Sequence, residues 1–262
     1  MFANERYDVI TELIKKHRSV TVSELCERFG VSIETVRRDL AYLEKSRKLT
    51  RVHGGAIAVP DRNVAFSALS VRIDDNIDKK RELSEYAMQF IGEGDVIALD
   101  AGSTAAVFIT VLCECFKDLT VVTNSADVIE YASKNSRFKL ISLGGTYLSS
   151  EKFFYGYMAE DAMRRLHADK CFIFPSSLSL KYGVMMNIEE CVGVEFEMIN
   201  ASDKYYVLSD SSKFETNSPI RLSELSKADA VITDSALDKR ICELYRENGV
   251  KLVCDNTERR KK

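Results

Sequence analysis

The stretch Val31-Ser-Ile-Glu-Thr-Val-Arg-Arg-Asp-Leu-Ala-Tyr-Leu-Glu44 decides how the opening part of this 262-residue chain folds. Ser32 is placed to cap a helix, because a serine hydroxyl accepts the backbone N–H of a residue in the first turn. From there Ile33, Val36, Leu40 and Leu43 fall on one face at 100° per residue. Thr35, Arg38 and Tyr42 point the opposite way, with Arg37 on the flank. The run Leu49-Thr-Arg-Val-His-Gly-Gly-Ala56 then reads as a basic hairpin over 47–57, closed by Gly54-Gly55. Cations at the start of an amphipathic helix, followed by a basic hairpin, are what major-groove reading needs. Ser32, Thr35, Arg37, Arg38, Tyr42, Arg51 and His53 are therefore the candidate DNA-facing residues. The helical wheel directs Arg38 and Thr35 toward base edges and Arg37 toward phosphate. Arg51 and His53 are expected on the backbone or in the minor groove.

Upstream, Val9, Ile10, Leu13 and Ile14 give helical spacing over 3–16. Thr21-Val-Ser-Glu24 has the form of a capping box, so a second helix is expected from Val22 to Phe29. Gly30 can take the left-handed conformation that ends it. Residues 1–58 carry eleven basic and eight acidic side chains, whereas the chain as a whole has a net charge of −3. A locally basic head on an acidic body suits a local polyanion contact, not a general nucleic-acid coat.

Residues 59–75 contain a proline and no clear period, and are expected to be a linker. A helix is expected over 79–91. Beyond Gly92-Glu-Gly-Asp95 strands alternate with helices. The strands are expected at 96–99, 120–122, 139–143, 170–174, 205–208, 230–232 and 251–253. The helices are expected at 105–116, 126–134, 160–166, 188–201 and 239–248. Such alternation argues an α/β fold with a largely parallel sheet over 76–256. Residues 257–262 form a basic tail.

Ligands of open parallel sheets bind beyond the carboxyl ends of the strands. Here those ends are polar: Asp100-Ala-Gly-Ser-Thr104, Thr123-Asn-Ser125, Gly144-Gly145, Ser176-Ser177, Asp210-Ser-Ser-Lys213 and Thr233-Asp234. Gly102-Ser103-Thr104 puts backbone N–H groups and two hydroxyls at a helix N-terminus, where the dipole favours an anion such as phosphate. Asp100, Asn124 and Asp210 can bond sugar hydroxyls, and Lys80 and Lys213 can supply positive charge. Gly-x-Gly-x-x-Gly and a Walker loop are absent, which argues against nucleotide cofactors. The three histidines show no metal-ligand spacing, and the seven scattered cysteines contain no Cys-x-x-Cys. Neither a cofactor nor a metal is expected. Arg6, Asp8 and Glu12 interrupt any signal-like apolar run, and no stretch approaches a membrane span. The expected compartment is a reducing cytoplasm.

The chain resembles the DeoR family of transcriptional regulators. The motifs that carry the resemblance are Val20-Thr-Val-Ser-Glu-Leu25, the stretch from Val31 to Leu40, Arg51-Val-His-Gly-Gly-Ala56 and Gly94 to Thr104. They continue with Leu119 to Asn124, Leu143-Gly-Gly145, Leu208 to Phe214 and Val231-Ile-Thr-Asp234. The resemblance implies a winged helix-turn-helix followed by a sensor domain similar to ribose-5-phosphate isomerase. It implies an operator-DNA partner and a repressor of carbohydrate catabolism that a phosphorylated sugar releases. Arg37 and Arg38 match the family's recognition-helix arginines. Lys80, Asp100, Gly102, Ser103, Thr104, Asn124, Gly144, Gly145 and Lys213 match its ligand pocket. Phe174-Pro-Ser-Ser-Leu178 and Lys181-Tyr-Gly-Val-Met-Met186 depart from the family's usual pattern. Pairing of half-sites implies a homodimer or homotetramer. One alternative is a sugar-phosphate isomerase with an appended DNA-binding domain, for which Glu189 and Glu190 are the nearest candidate bases. The other is a DNA-binding protein with a ligand-free body.

Overall fold

Three helices and a small sheet build the amino-terminal unit: α1 (Ala3–His17), β1 (Ser19–Thr21), α2 (Val22–Phe29), α3 (Ile33–Lys45), β2 (Leu49–Val52) and β3 (Gly55–Ala58). The computed structural model describes residues 2–17, 19–46, 48–58 and 68–254. The expected caps form. Thr21 Oγ1 accepts the Glu24 N–H at 3.2 Å, Gly30 takes φ 65°, and Ser32 Oγ accepts the Thr35 N–H at 3.3 Å. Val36, Leu40 and Leu43 close on Ile10, Ile14, Val20 and Leu25. Ile33 departs from the wheel: it is 54% exposed and lines a groove between the start of α3 and the hairpin. A buried Arg6–Asp39 pair, with Nε to Oδ2 at 2.6 Å, ties α1 to the inner face of α3. The hairpin gains a third strand that the sequence pattern does not signal, in the order β1-β3-β2. Gly55 is required there: a Cβ would meet the Val20 carbonyl oxygen at 2.1 Å.

The second unit begins inside the expected linker. Residues 59–67 of that linker lie outside the described residues, but Leu69–Asp74 form helix α4. There follow α5 (Ile77–Ala87), β4 (Val96–Leu99), α6 (Ser103–Cys115), β5 (Thr120–Thr123), α7 (Ala126–Asn135) and β6 (Lys139–Ser142). The middle holds β7 (Thr146–Leu148), β8 (Phe153–Tyr155), α8 (Tyr157–Arg164), β9 (Ala168–Ile173), β10 (Ser177–Ser179) and β11 (Gly183–Met186). The last elements are α9 (Glu189–Asn200), β12 (Ser202–Leu208), β13 (Ile220–Ser223), β14 (Ala230–Ile232), α10 (Lys239–Glu247) and β15 (Leu252–Val253). The basic tail from 257 onward lies outside the described residues.

Seven parallel strands form the main sheet in the order β15-β14-β12-β9-β4-β5-β6. Both faces are covered, so the strands are apolar on both sides. Ile97, Leu99, Phe172 and Leu208 pack with Leu83, Phe108 and Leu112 from α5 and α6. The alternate residues Ala98, Cys171, Ile173 and Val207 pack with Met163, Val194, Met198 and Tyr245 from α8, α9 and α10. Strand order runs outward in both directions from the β4–β9 pair, which makes that pair the topological switch point. Two antiparallel additions frame this point. One is the hairpin β7–β8, and the other is the sheet β10-β11-β13, which contains the segment that departs from the family pattern.

α10 also touches the amino-terminal unit. Arg240 lies 3.5 Å from Glu24, and Asn248 Nδ2 donates to the His53 carbonyl at 3.5 Å. Glu247 and Leu244 lie against Gly54.

Candidate functional sites

On the amino-terminal unit, Arg37, Arg38, Arg51 and His53 are all exposed. A groove of about 540 Å³ separates the start of α3 from the hairpin, and Ile33, Arg37, Arg51 and His53 line it. Arg38 lies outside this groove, with Nε 3.9 Å from Glu34 and the side chain largely solvated. A Glu44 carboxylate oxygen accepts the Arg51 N–H at 2.9 Å, which fixes the hairpin relative to α3. Two expected residues are partly engaged within the protein. The Ser32 and Thr35 hydroxyls bond each other at 3.0 Å. The Tyr42 ring stacks on Tyr7 with centroids 4.5 Å apart. Ile33 was missed as a surface residue; it adds an apolar group beside Arg37.

At the switch point of the sheet, a cleft of about 270 Å³ opens between the ends of β4, β9 and β12 and the helices α4 and α5. Six of the expected residues converge on it: Lys80, Gly102, Ser103, Thr104, Asp210 and Lys213. Gly102 takes φ 122°, and no side chain caps the start of α6. The first N–H groups of that 13-residue helix are therefore free of side-chain partners and face the cleft, the usual arrangement for holding an anion. Lys213 and Arg72 contribute charge. Lys79 is nearby, with Nζ 3.0 Å from Ser211 Oγ.

Lys80 lines the cleft and is also engaged within the protein. Its Nζ donates to the carbonyls of Arg72, Ile73 and Asp75, the Asp75 bond being 2.6 Å, and so closes the C-terminal end of α4. Burial pulls its pKa below the ordinary lysine value, and the carboxylate of Asp210 opposes that shift. Without α4 in the sequence reading, these acceptors could not be foreseen. Asp210 is likewise occupied locally, accepting the Ser212 N–H at 2.9 Å.

Asn124, Gly144 and Gly145 do not line the cleft. Asn124 Nδ2 donates to the Phe154 carbonyl at 3.1 Å, and the Asn124 backbone carbonyl accepts the Phe154 N–H. Gly145 takes φ 137°, and a Cβ there would meet the Tyr155 carbonyl oxygen at 2.5 Å. These residues seat the β7–β8 hairpin, whose loop delivers Glu151 onto Arg72.

Asp100 lies deeper, at a narrow inner end of about 40 Å³. Its carboxylate accepts the N–H groups of Ala101 at 2.5 Å and Phe174 at 3.3 Å. Beside it is Glu195, fully buried on α9. Burial raises the Asp100 pKa to about 7. Burial also raises that of Glu195 well above the ordinary range, and the neighbouring Asp100 charge adds to the shift. Glu189 and Glu190, expected as the nearest acids, are exposed. Glu195 had a legible signal: Cys191, Val194 and Met198 mark the apolar face of α9, and Glu195 falls on it. Arg72 and Glu151 had none, because a short helix and a distant loop bring them together.

The chain matches the DeoR-like helix-turn-helix domain over residues 6–61 and the DeoR C-terminal sensor domain over 75–235. It is 30% identical over 258 residues to the HTH-type transcriptional repressor GlcR of Bacillus subtilis, covering 97% of this chain and 96% of that protein. It is 31% identical over 250 residues to the L-fucose operon activator of Haemophilus influenzae, covering 95% and 99%. A looser similarity, with 19% identity and a TM-score of 0.40 over 53% of each chain, is to ribose 5-phosphate isomerase A from Neisseria gonorrhoeae.

Proposed function

The chain belongs to the DeoR family of DNA-binding transcriptional regulators, and on that premise we propose that it represses carbohydrate genes and releases its operator when a phosphorylated sugar enters the switch-point cleft. The observation that carries this proposal is the uncapped start of α6, facing a cleft that also holds Lys213 and Arg72. A dianionic phosphate is the ligand group that backbone N–H donors and cations at one end of a cleft suit best. The proposal treats the protein as a binding module and not an isomerase. Its two buried carboxyls lie beneath the cleft, where burial disfavours the ionised form that a general base needs, and the third acid there, Glu151, is paired with Arg72.

Coupling to DNA has a physical route. The Ser211 N–H donates to Asp234 at 2.6 Å, Asp234 precedes α10, and α10 packs on Glu24, His53 and Gly54. A ligand that binds one setting of this path more tightly than another shifts the equilibrium between them. Pairing of two chains then sets the spacing of the recognition helices on the operator.

Two substitutions test the proposal in a mobility-shift assay on DNA from upstream of the regulated genes. Arg38→Ala is expected to abolish specific binding while leaving the melting curve unchanged; undiminished affinity would overturn the DNA assignment. Ser103→Asp places negative charge where the phosphate is expected, and should leave DNA binding intact but unresponsive to sugar phosphates. A normal response in that variant would remove the cleft from the mechanism.

A further inference from the structure

The inner end of the cleft has a chemistry different from its mouth. The two compartments share Arg72, Gly102, Phe174 and Ser176, so one ligand can span them. The mouth is cationic, whereas the inner end is acidic. Asp100 projects from the end of β4, Glu195 from α9, and Glu151 from the β7–β8 loop. Facing the two buried carboxyls from neighbouring elements are the thiols of Cys171 on β9 and Cys191 on α9, and the Tyr205 phenol on β12. Arg72 is the one cation lining this end, and it is paired with Glu151.

The hydrogen-bonding capacity at this end is only partly used. Glu195 Oε1 and Oε2 are fully buried without a hydrogen-bond partner of good geometry; the polar groups beside them are the Asp100 carboxyl and the Cys191 thiol. Each Asp100 oxygen accepts one backbone N–H, and the only side-chain group among the described residues turned on the carboxyl is that of Glu195, itself an acid. Two buried carboxylates without a counter-ion cannot both stay charged, so the free protein holds protons there. The group that answers such a site is a cation with several donors and no acceptor. An ammonium has three donors and none to spare as acceptor. At about 40 Å³ the inner end takes a group of about that size.

We propose that Asp100 and Glu195 form a binding site for a protonated amine at the end of the ligand remote from its phosphate, which makes the ligand an amino-sugar phosphate and Glu195 a specificity-determining residue. This rests on the cleft being the effector site. A hydroxyl in the same place supplies a single donor and no charge, so it leaves the carboxyl pair protonated. The amine lets the pair ionise and gains charge-assisted hydrogen bonds, which are about twice as strong as neutral ones.

The test is calorimetric titration of the purified full-length protein with matched probes. These are glucosamine 6-phosphate and galactosamine 6-phosphate against glucose 6-phosphate and galactose 6-phosphate, with N-acetylglucosamine 6-phosphate as the neutralised amine. At least one amino-sugar phosphate should bind about tenfold or more tightly than its hydroxyl and acetylated counterparts, the fold-change of one charged hydrogen bond. Glu195→Gln keeps the volume and should erase that preference while shifting the hydroxyl sugar by less than about threefold. Equal affinity of amine and hydroxyl twins in the unmodified protein overturns the inference and leaves the effector site standing. A preference that persists in Glu195→Gln, checked as folded by circular dichroism, also overturns it. If no sugar phosphate binds, the effector-site reading falls and the inference falls with it.

Discussion

Asp100 makes a quantitative prediction about stability and pH. Its carboxyl is raised from 3.8 to about 7 by burial. A raised folded-state pKa means that the folded protein holds the proton more tightly than the unfolded chain does. The contribution to stability is therefore complete below about pH 4, and it is lost as pH rises to about 7. A shift of about three units at 1.36 kcal/mol each corresponds to roughly 4 kcal/mol. In melting temperature this is of order 8–16 °C, at 2–4 °C per kcal/mol for a domain of this size. Asp100→Asn removes the titration. It also puts an amide N–H near the Phe174 N–H, a fixed cost of about 1–3 kcal/mol that does not vary with pH. The informative quantity is thus the difference between the two proteins across pH. Urea denaturation followed by circular dichroism at half-unit steps from pH 4.5 to 8 measures it. The unmodified protein should lose about 3 kcal/mol relative to Asp100→Asn over this range, because a part of the effect is already spent at pH 4.5 and Glu195 is present in both proteins. A difference that stays constant across pH, or that moves in favour of the unmodified protein as pH rises, would refute the account of a buried, proton-holding pair.

Two further outcomes follow from the packing. Gly145→Ala should destabilise the sensor domain by more than about 1 kcal/mol, because the new Cβ meets the Tyr155 carbonyl in a left-handed conformation; an unchanged urea midpoint would contradict this. Arg240→Ala removes the α10–Glu24 contact and should leave ligand affinity within about twofold while shrinking the ligand-induced change in operator affinity. Titrations of ligand and of DNA on that variant check the two arms separately.

Most of the helix and strand positions were legible, because each rests on a local rule. The Thr21, Gly30 and Ser32 boundaries are caps, and a cap needs only the residue and its near neighbours. The main strands were legible as apolar runs ending in small polar residues, since a parallel sheet is buried on both faces. What escaped was non-local. β1 exists because β3 is beside it, and α4 is too short to show a period. Ile33 looked like core on a helical wheel, but a wheel does not say where the neighbouring element stops.

The candidate site divides along the same line. The loop Gly102-Ser103-Thr104 was legible as a candidate anion site, because a glycine and two hydroxyls at a helix start carry their meaning locally. The roles of Lys80, Asn124 and Gly145 were not, since each is set by carbonyls from chain segments whose placement only folding decides.

By itself, then, the sequence determined the two-domain plan, the capped helix that carries Arg37 and Arg38 and the polar edge of the sheet, all of which follow from periodicity and from short-range hydrogen bonding. Tertiary structure alone decided that Asp100 meets Glu195, that Arg72 meets Glu151, and that α10 rests on the hairpin. Charge pairing and burial are properties of distance in space, and residues 79 to 195 positions apart acquire them only when the folded chain draws them together.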